Sequence, residues 1–373
     1  MKLSLLQENL NTALNTVSRF VSAKSQLPIL NNILLSTDQG RLKLSATNLE
    51  LGINYWLGAK IDTEGSLTIP SKEITEFVSY LSPGRLDLDL NDKNLFSISS
   101  TKVESTFATM AAVDYPQLPS INTTNFFEID SSLLIDTISQ IAFSAATDDS
   151  RPVLTAIMCQ FTPDHILFVA TDGFRLSLKQ LKLVNPLNLN GKEALTFLIP
   201  ARSLTEVSKL AKKGQLIKIG LSEDEHQLIF VLDDIELVSR LIEGDYPDYG
   251  RIIPESYTTK IYLNRSEFHQ SVKIASVFAR ESANVVKFSV KSNALELSAN
   301  APQIGQNKAS VEAKVEGEPL EIAFNYKFLV DFISICHGDN IIIELNQSLS
   351  PGFFHDESLP DFTHIIMPVR LQD

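Results

Sequence analysis

Much that would announce a chemistry is missing from this chain. Its 373 residues include only two cysteines, Cys159 and Cys336, both in apolar stretches. So few thiols argue against a disulfide framework and for a reduced, cytoplasmic setting with both as small core residues. No apolar run is long enough to span a membrane, and Glu8 interrupts the apolar N-terminal stretch, so neither an anchor nor a signal peptide is expected. All six histidines fall at or after His165, without His-x-x-x-His, Glu-x-x-His or paired-cysteine spacing. His355-Asp356 with His364 could be bent around a metal, but reads as a solvated loop. Gly191-Lys192 lacks the upstream glycine of a phosphate-cradling loop, and there is no Gly-x-Ser-x-Gly elbow. The expectation is a non-enzyme with no metal, no cofactor and no catalytic residues.

Positive charge is also scarce, 32 Lys and Arg against 45 Asp and Glu, for a formal net charge of −13. Nonspecific affinity for nucleic acid comes from cations neutralising phosphates, so binding over the whole surface is excluded while one local basic face is not. With 44% hydrophobic and 21% charged residues the chain is otherwise an ordinary globular one, and its length suits two or three domains.

What is present is repetition. Leu167 to Ser177 (LFVATDGFRLS) has approximate copies at Leu42 to Gly52 (LKLSATNLELG) and Leu295 to Gly305 (LELSANAPQIG). Each alternates as a half-buried strand does, then breaks at Ala-Thr-Asn, Ala-Thr-Asp or Ala-Asn-Ala. After each copy come an extended run and a helix-patterned segment: TIPSKEITEFVSYL (68–81), LIPARSLTEVSKLA (198–211) and IAFNYKFLVDFISI (322–335). Pro70, Pro200 and Phe324 stand the same distance before Gly84, Gly214 and Gly338. Those glycines are expected to end the helices in the left-handed C′ conformation. An earlier helix opens each copy, marked by Leu6, Leu10, Ala13, Leu14 and Val17, by Leu134, Ile138, Ile141 and Ala142, and by Phe268, Val272, Ala275 and Phe278. Asn264 with Glu267 resembles a capping box at the start of the last. Two helices among successive strands without regular crossovers indicate an α+β fold in three copies. Boundaries near Ser120–Thr124 and Pro254–Thr259 give expected domains 1–124, 125–256 and 257–373.

Asp245-Tyr246-Pro247-Asp248-Tyr249 and the closing Ile365-Ile366-Met367-Pro368-Val369-Arg370-Leu371 punctuate the second and third copies. On the residues alone these are either turn chemistry or the walls of a shallow apolar groove for a peptide. A triplicated enzyme, for which no convergent groups are found, and a monomeric peptide-binding scaffold also stay open.

The combination VATDGFRLS (169–177), EGDYPDYGRIIP (243–254) and HIIMPVRL (364–371) closely resembles the sliding-clamp family of bacterial DNA polymerase III beta subunits. The likeness runs the whole length, from MKLSLLQENLNTAL and LPILNNILL onward. It implies three DNA-clamp domains and a head-to-tail homodimer closed into a ring around duplex DNA without sequence preference. It implies a processivity factor that tethers the replicative polymerase and recruits the clamp loader and repair proteins. Helices would line the bore, presenting Arg19, Lys72, Arg202, Lys209, Lys212, Lys273 and Arg280, with Lys24 and Arg151 in nearby loops. Asp87, Asp89, Asp92, Glu223 and Asp224 would face outward.

The resemblance also implies a peptide pocket between domains 2 and 3. Leu154, Thr171, Gly173, Arg175, Leu176, Pro247, Arg251 and Ile252 would form one side. Asn325, Phe328, Ser348, Leu349, Ile365, Met367, Pro368, Val369 and Arg370 would form the other. It suits a peptide carrying a glutamine and one or two Leu or Phe side chains. Phe174, where a polar-tipped ring is common, and the Gln372-Asp373 extension depart from the family pattern. The implied dimer seam sets Phe107 against Val277 and Phe278. Gln303 and Gly305 stand where acids would be expected, so the seam should be largely apolar.

Overall fold

The computed structural model describes residues 1–22, 27–91, 94–119, 126–183, 185–189, 191–222, 226–254 and 256–370. One element order recurs three times. The first run is β1 (Lys2–Leu6), α1 (Gln7–Val17), β2 (Asn32–Asp38), β3 (Arg41–Thr47), β4 (Leu51–Leu57), β5 (Lys60–Thr63) and β6 (Ser66–Pro70). It continues with α2 (Ser71–Tyr80), β7 (Arg85–Leu90), β8 (Leu95–Ser99) and β9 (Glu104–Ala108). The second is β10 (Phe126–Asp130), α3 (Ser131–Ile141), β11 (Ala156–Phe161), β12 (His165–Thr171), β13 (Arg175–Lys182) and β14 (Leu195–Pro200). It closes with α4 (Ala201–Leu210), β15 (Leu216–Leu221), β16 (Gln227–Leu232) and β17 (Ile235–Arg240). The third is β18 (Thr259–Asn264), α5 (Arg265–Ala279), β19 (Val285–Lys291), β20 (Ala294–Ala301), β21 (Gly305–Gly317) and β22 (Leu320–Asn325). It ends with α6 (Tyr326–Ile335), β23 (Asn340–Leu345), β24 (Gly352–Asp356) and β25 (Phe362–Ile366). The fold is α+β in three copies, with every named strand pair antiparallel.

The copies are stitched alike. The first backbone N–H of each opening helix donates to a carbonyl just beyond the second helix: Gln7 to Gly84 (2.8 Å), Ser131 to Gln215 (2.9 Å) and Arg265 to Asp339 (2.8 Å). An N-terminal N–H has no partner inside its own helix, so each bond satisfies a group that would otherwise need water.

The chain folds into two compact units, one of Met1–Ser132 with Glu206–Leu241, the other of Leu133–Thr205 with Ile242–Asp373. The first unit contains a five-stranded sheet, β5-β1-β7-β8-β9, and an eight-stranded one, β10-β15-β16-β17-β4-β3-β2-β6. The second contains twelve strands in the order β14-β11-β12-β13-β25-β24-β23-β18-β21-β20-β19-β22. In both units a strand of one copy pairs with a strand of the next, β4 with β17 and β13 with β25. Helical periodicity explains the burial of Leu10, Ala13, Leu14 and Val17 in α1 and of Phe268, Val272 and Ala275 in α5. On β7 the strand period does the same: Leu86 and Leu88 are buried, Asp87 and Asp89 exposed. Asn264 caps α5, its side chain accepting the N–H groups of Ser266 and Glu267.

Several expectations are corrected. Leu6 lies outside α1 and is 51% exposed, while Gln7 is buried and donates from Nε2 to the Val78 carbonyl at 2.7 Å. Phe278 is only half-buried, and Ala279 holds the buried position at that end of α5. The glycines after the second helices are not C′ residues. α2 and α6 end on the extended residues Leu81 and Cys336. Gly84 and Gly214 do have positive φ, at 135° and 83°. Gly338 does not, and a Cβ there would press on Asp356, whose Oδ2 accepts the His337 and Gly338 N–H groups. The Ala299-Asn300-Ala301 break is no break, since β20 continues through it, pairing Ala301 with Gly305. Cys159 and Cys336 are buried free thiols, and burial pushes the Cys159 thiol well up. Among the described residues no helix is long and apolar enough to cross a membrane. Lys24, Asp92, Glu223, Asp224, Leu371 and the Gln372-Asp373 extension lie outside the described residues.

Candidate functional site

The turn between β12 and β13 organises the second unit. Thr171 Oγ1 donates to the Arg175 carbonyl (2.6 Å) and accepts the Gly173 N–H (3.0 Å). Asp172 Oδ1 accepts the N–H groups of Phe174 and Arg175 at 2.9 and 3.0 Å. Gly173 sits at φ 89°, a left-handed conformation that costs glycine nothing. Short side chains that bond the backbone two and three residues on are what make Thr-Asp-Gly a turn.

Arg175 is held on all sides. Nε meets Asp172 Oδ2 at 3.0 Å and Nη1 meets Asp331 Oδ2 at 2.5 Å, while its guanidinium lies over the Phe328 and Phe143 rings at 4.6 and 5.3 Å. Only 11% of the side chain is exposed. A delocalised, planar cation suits both contacts at once: the fork meets carboxylates and the face stacks on rings.

The next residue, Leu176, points into an apolar cluster. It joins Ala156, Met158, Val169, Leu198 and Ile365, with Ile252, Tyr246 and Phe353 packed against them. Leu176 and Ile365 are β13–β25 partners, so register delivers them together. Tyr246 closes the cluster by donating its hydroxyl to the Val169 carbonyl at 3.2 Å, and burial pushes its phenol up. The chain end is pinned twice, Met367 N–H to the Phe174 carbonyl and Val369 N–H to the Ala323 carbonyl, both at 2.8 Å. Met367 and Phe174 are left exposed beside this apolar floor.

Of the expected pocket residues, Thr171, Gly173, Arg175, Leu176, Ile252, Phe328, Ile365 and Met367 are thus tied together by contacts, while Val369 is bonded to Ala323. Leu154 is buried in the turn before β11, its carbonyl accepting the Ala146 N–H at 2.8 Å. Pro247 and Arg251 are exposed, Arg251 pairing with Asp248 at 2.8 Å. Pro368 is half-buried and Arg370 exposed. Asn325 is occupied as the cap of α6, accepting the Lys327 N–H, and Ser348 and Leu349 are exposed on the β23–β24 turn.

Beneath the turn runs a polar network with no signature in the sequence. Ser144 Oγ lies 2.7 Å from Ser177 Oγ, which lies 2.8 Å from His364 Nδ1. His364 is fully buried and stacked on Phe332 at 5.4 Å, so it is not in a solvated loop, nor is the buried Asp356. Burial, with help from the Arg175 cation, holds this imidazole down at about 3. Asp331 was equally invisible, being 156 residues from its partner. Among the described residues no three His, Cys, Asp or Glu side chains gather as metal ligands.

The basic residues lie on helices or just past their ends. Lys72, Arg202, Lys209, Lys212, Lys273 and Arg280 are all exposed. Arg19 and Lys209 share one carboxylate, Glu206, at 3.2 and 2.9 Å, and Lys212 meets Asp233 at 3.5 Å. Arg151 instead braces the Thr171–Arg175 turn, donating from Nη2 to the Asp172 carbonyl at 3.0 Å. Phe107 stands on the end strand β9, edge-on to Phe77 at 5.1 Å, and Val277 is exposed on α5.

Family models of the DNA polymerase III beta subunit match nearly the whole chain, the N-terminal domain over 1–119, the central over 128–248 and the C-terminal over 250–370. The chain belongs to the DNA polymerase III beta subunit family. Curated beta sliding clamps of Synechococcus elongatus and Synechocystis are 31% and 32% identical to it, each over 100% of both chains. The crystal structure of the DNA polymerase sliding clamp from Bacillus subtilis superposes with a TM-score of 0.93 at 29% identity, covering 100% of both chains. In this beta subunit, then, the threefold element order is the family's architecture.

Proposed function

We propose that this beta subunit is a non-catalytic DNA sliding clamp of the cytoplasm. Two protomers join head to tail in a ring around duplex DNA, tethering the replicative polymerase and recruiting loader and repair proteins through short peptides. The carrying observation is the Thr171–Leu176 turn. It places a rigidly held Arg175 and an apolar floor beside the exposed Met367, in a chain like named sliding clamps from end to end. A peptide leucine or phenylalanine on Leu176, Ile252, Ile365 and Met367 would gain about 25 cal/mol per Å² buried before ordering costs. That suggests affinity on the order of micromolar, weak enough for partners to exchange. Met367, unbranched and polarisable, would adapt to each. We assign the domains to 1–124, 125–256 and 257–373.

The ring seam is proposed at Phe107 against Val277 and Phe278 of a second copy. β9 ends its sheet, and β21 pairs with β18 only over Ala313–Gly317, so both present open edges that ask for a partner strand. Exposed cations on or at the ends of helices, Lys72, Arg202, Lys273 and Arg280 among them, would give the bore weak phosphate contacts, each worth about one released counterion. Sizing tests the ring against a monomeric scaffold: the dimer should run at twice the 41.4 kDa chain. Phe278→Ala should lose ~3–5 kcal/mol of association if that ring packs as in a core. A Phe278→Ala protein that stays dimeric at low concentration contradicts the seam.

A further inference from the structure

The turn that frames the proposed pocket has a double between β3 and β4. Thr47 Oγ1 donates to the Leu51 carbonyl (3.2 Å) and accepts the Leu49 N–H (3.0 Å). Asn48 Oδ1 accepts the N–H groups of Glu50 and Leu51 at 3.0 and 2.8 Å. These are, bond for bond, the contacts of Thr171 and Asp172. Leu49 holds φ 75° where Gly173 holds 89°. The strand after each turn pairs with the last strand of its sheet neighbour, Gly52 opposite Val238 and Leu176 opposite Ile365. An Asp-Tyr-Pro strap follows in both. The Tyr115 hydroxyl reaches the Ser45 carbonyl at 3.5 Å, as the Tyr246 hydroxyl reaches that of Val169.

The floor is where the two part. Gly52 stands in the place of Leu176, and Leu118 of the strap fills the space, close enough that a Cβ on Gly52 would lie 2.5 Å from Leu118 Cδ2. What remains is a cavity of about 90 Å³ bounded by Thr47, Leu49, Gly52, Pro116, Leu118 and Val238. We infer that this is a second copy of the peptide pocket, closed from within. Leu118 takes the place of a partner peptide's leucine, so each protomer offers one open site instead of two. A tethered side chain acts at an effective concentration on the order of millimolar, so it excludes a free peptide without binding tightly. The inference rests on the peptide-pocket reading above.

Calorimetric titration of the full chain with a synthetic peptide containing Gln-x-x-Leu-Phe tests it. The parent should bind one peptide per protomer. Leu118→Ala should bind two, the second at the β3–β4 turn, and should keep that one when Leu176→Ala and Met367→Ala disable the first. One peptide per protomer in a folded Leu118→Ala protein overturns the inference and leaves the pocket reading intact; no peptide on the parent overturns both. Gly52→Ala gives an independent readout should Leu118→Ala not fold. Its added methyl would lie 2.5 Å from Leu118 Cδ2, so Leu118 must leave its place and proteolytic cleavage of the strap at Leu118 should rise at least tenfold while β3–β4 amides stay protected. Unchanged cleavage contradicts the plug.

Discussion

The β3–β4 and β12–β13 turns share their hydrogen bonds and their Asp-Tyr-Pro strap but not the side chains behind them. Behind the second lie Ser144, Ser177 and His364, with Arg175 clamped between Asp172 and Asp331. Behind the first, the positions of Ser177 and His364 are taken by the buried pair Ile53 and Leu237, and that of Arg175 by the buried Leu51. One backbone design thus serves once as plain structure and once as a candidate site. The difference lies in what supports the turn. The two hydrogen bonds that join Ser144, Ser177 and His364 Nδ1 help fix the geometry of whatever stands on them.

The largest effect should separate the two turns. Leu176→Ala and Leu51→Ala each delete a buried leucine and should each cost ~2–5 kcal/mol in chemical denaturation. Only the first, combined with Met367→Ala, should also weaken Gln-x-x-Leu-Phe peptide binding, by about a hundredfold. Equal peptide affinity in both variants would erase the distinction between the turns. Arg175→Ala comes next. It strands two carboxylates, Asp172 and the half-exposed Asp331, at about 2–3 kcal/mol for the lost charge-assisted hydrogen bonds. Arg175→Lys should recover less than half of that, since an ammonium cannot fork between carboxylates while stacking on Phe328.

Acid should also tell the turns apart. His364 titrates near 6.5 when unfolded and near 3 when folded, so the unfolded chain takes up the proton first. The stability held by the neutral imidazole is complete above about pH 6.5 and drains as pH falls towards 3, at up to ~1.4 kcal/mol per pH unit. Between pH 7 and 5, protection of β13–β25 amides should fall relative to β4–β17, and His364→Gln should abolish that difference. Parallel behaviour of the two strand pairs would show that His364 does not matter.

Much of this was legible in the residues because it is local. Alternation, helical spacing and the Asn264 cap involve neighbours a few positions apart, so the three copies and their helices could be read directly. The Thr-Asp-Gly turn was visible too. The company it keeps was not: Asp331, Ser144 and His364 reach Arg175 and Ser177 only through strand register and helix placement far along the chain. Gly338 misled for a related reason, since the carboxylate that needs its missing side chain, Asp356, arrives from β24. The plug at Leu118 was equally hidden, because Gly52 reads as ordinary punctuation until the strap lies over it.

The smallest expected effect is at Leu49, which holds a left-handed conformation that Gly173 adopts freely. Leu49→Gly relieves about 1–2 kcal/mol of backbone strain against a greater entropy loss on folding, and should stabilise by under ~1 kcal/mol. A clear destabilisation would mean that the Leu49 side chain contributes packing the turn depends on.

A closed ring that holds DNA by topology shows itself most directly on circular DNA. After loading onto a nicked circle, the protein should co-elute with the DNA through high salt and leave once a restriction enzyme linearises it. Electrostatic attachment would instead weaken with salt on both forms alike. Equal retention on circular and linear DNA would contradict the account.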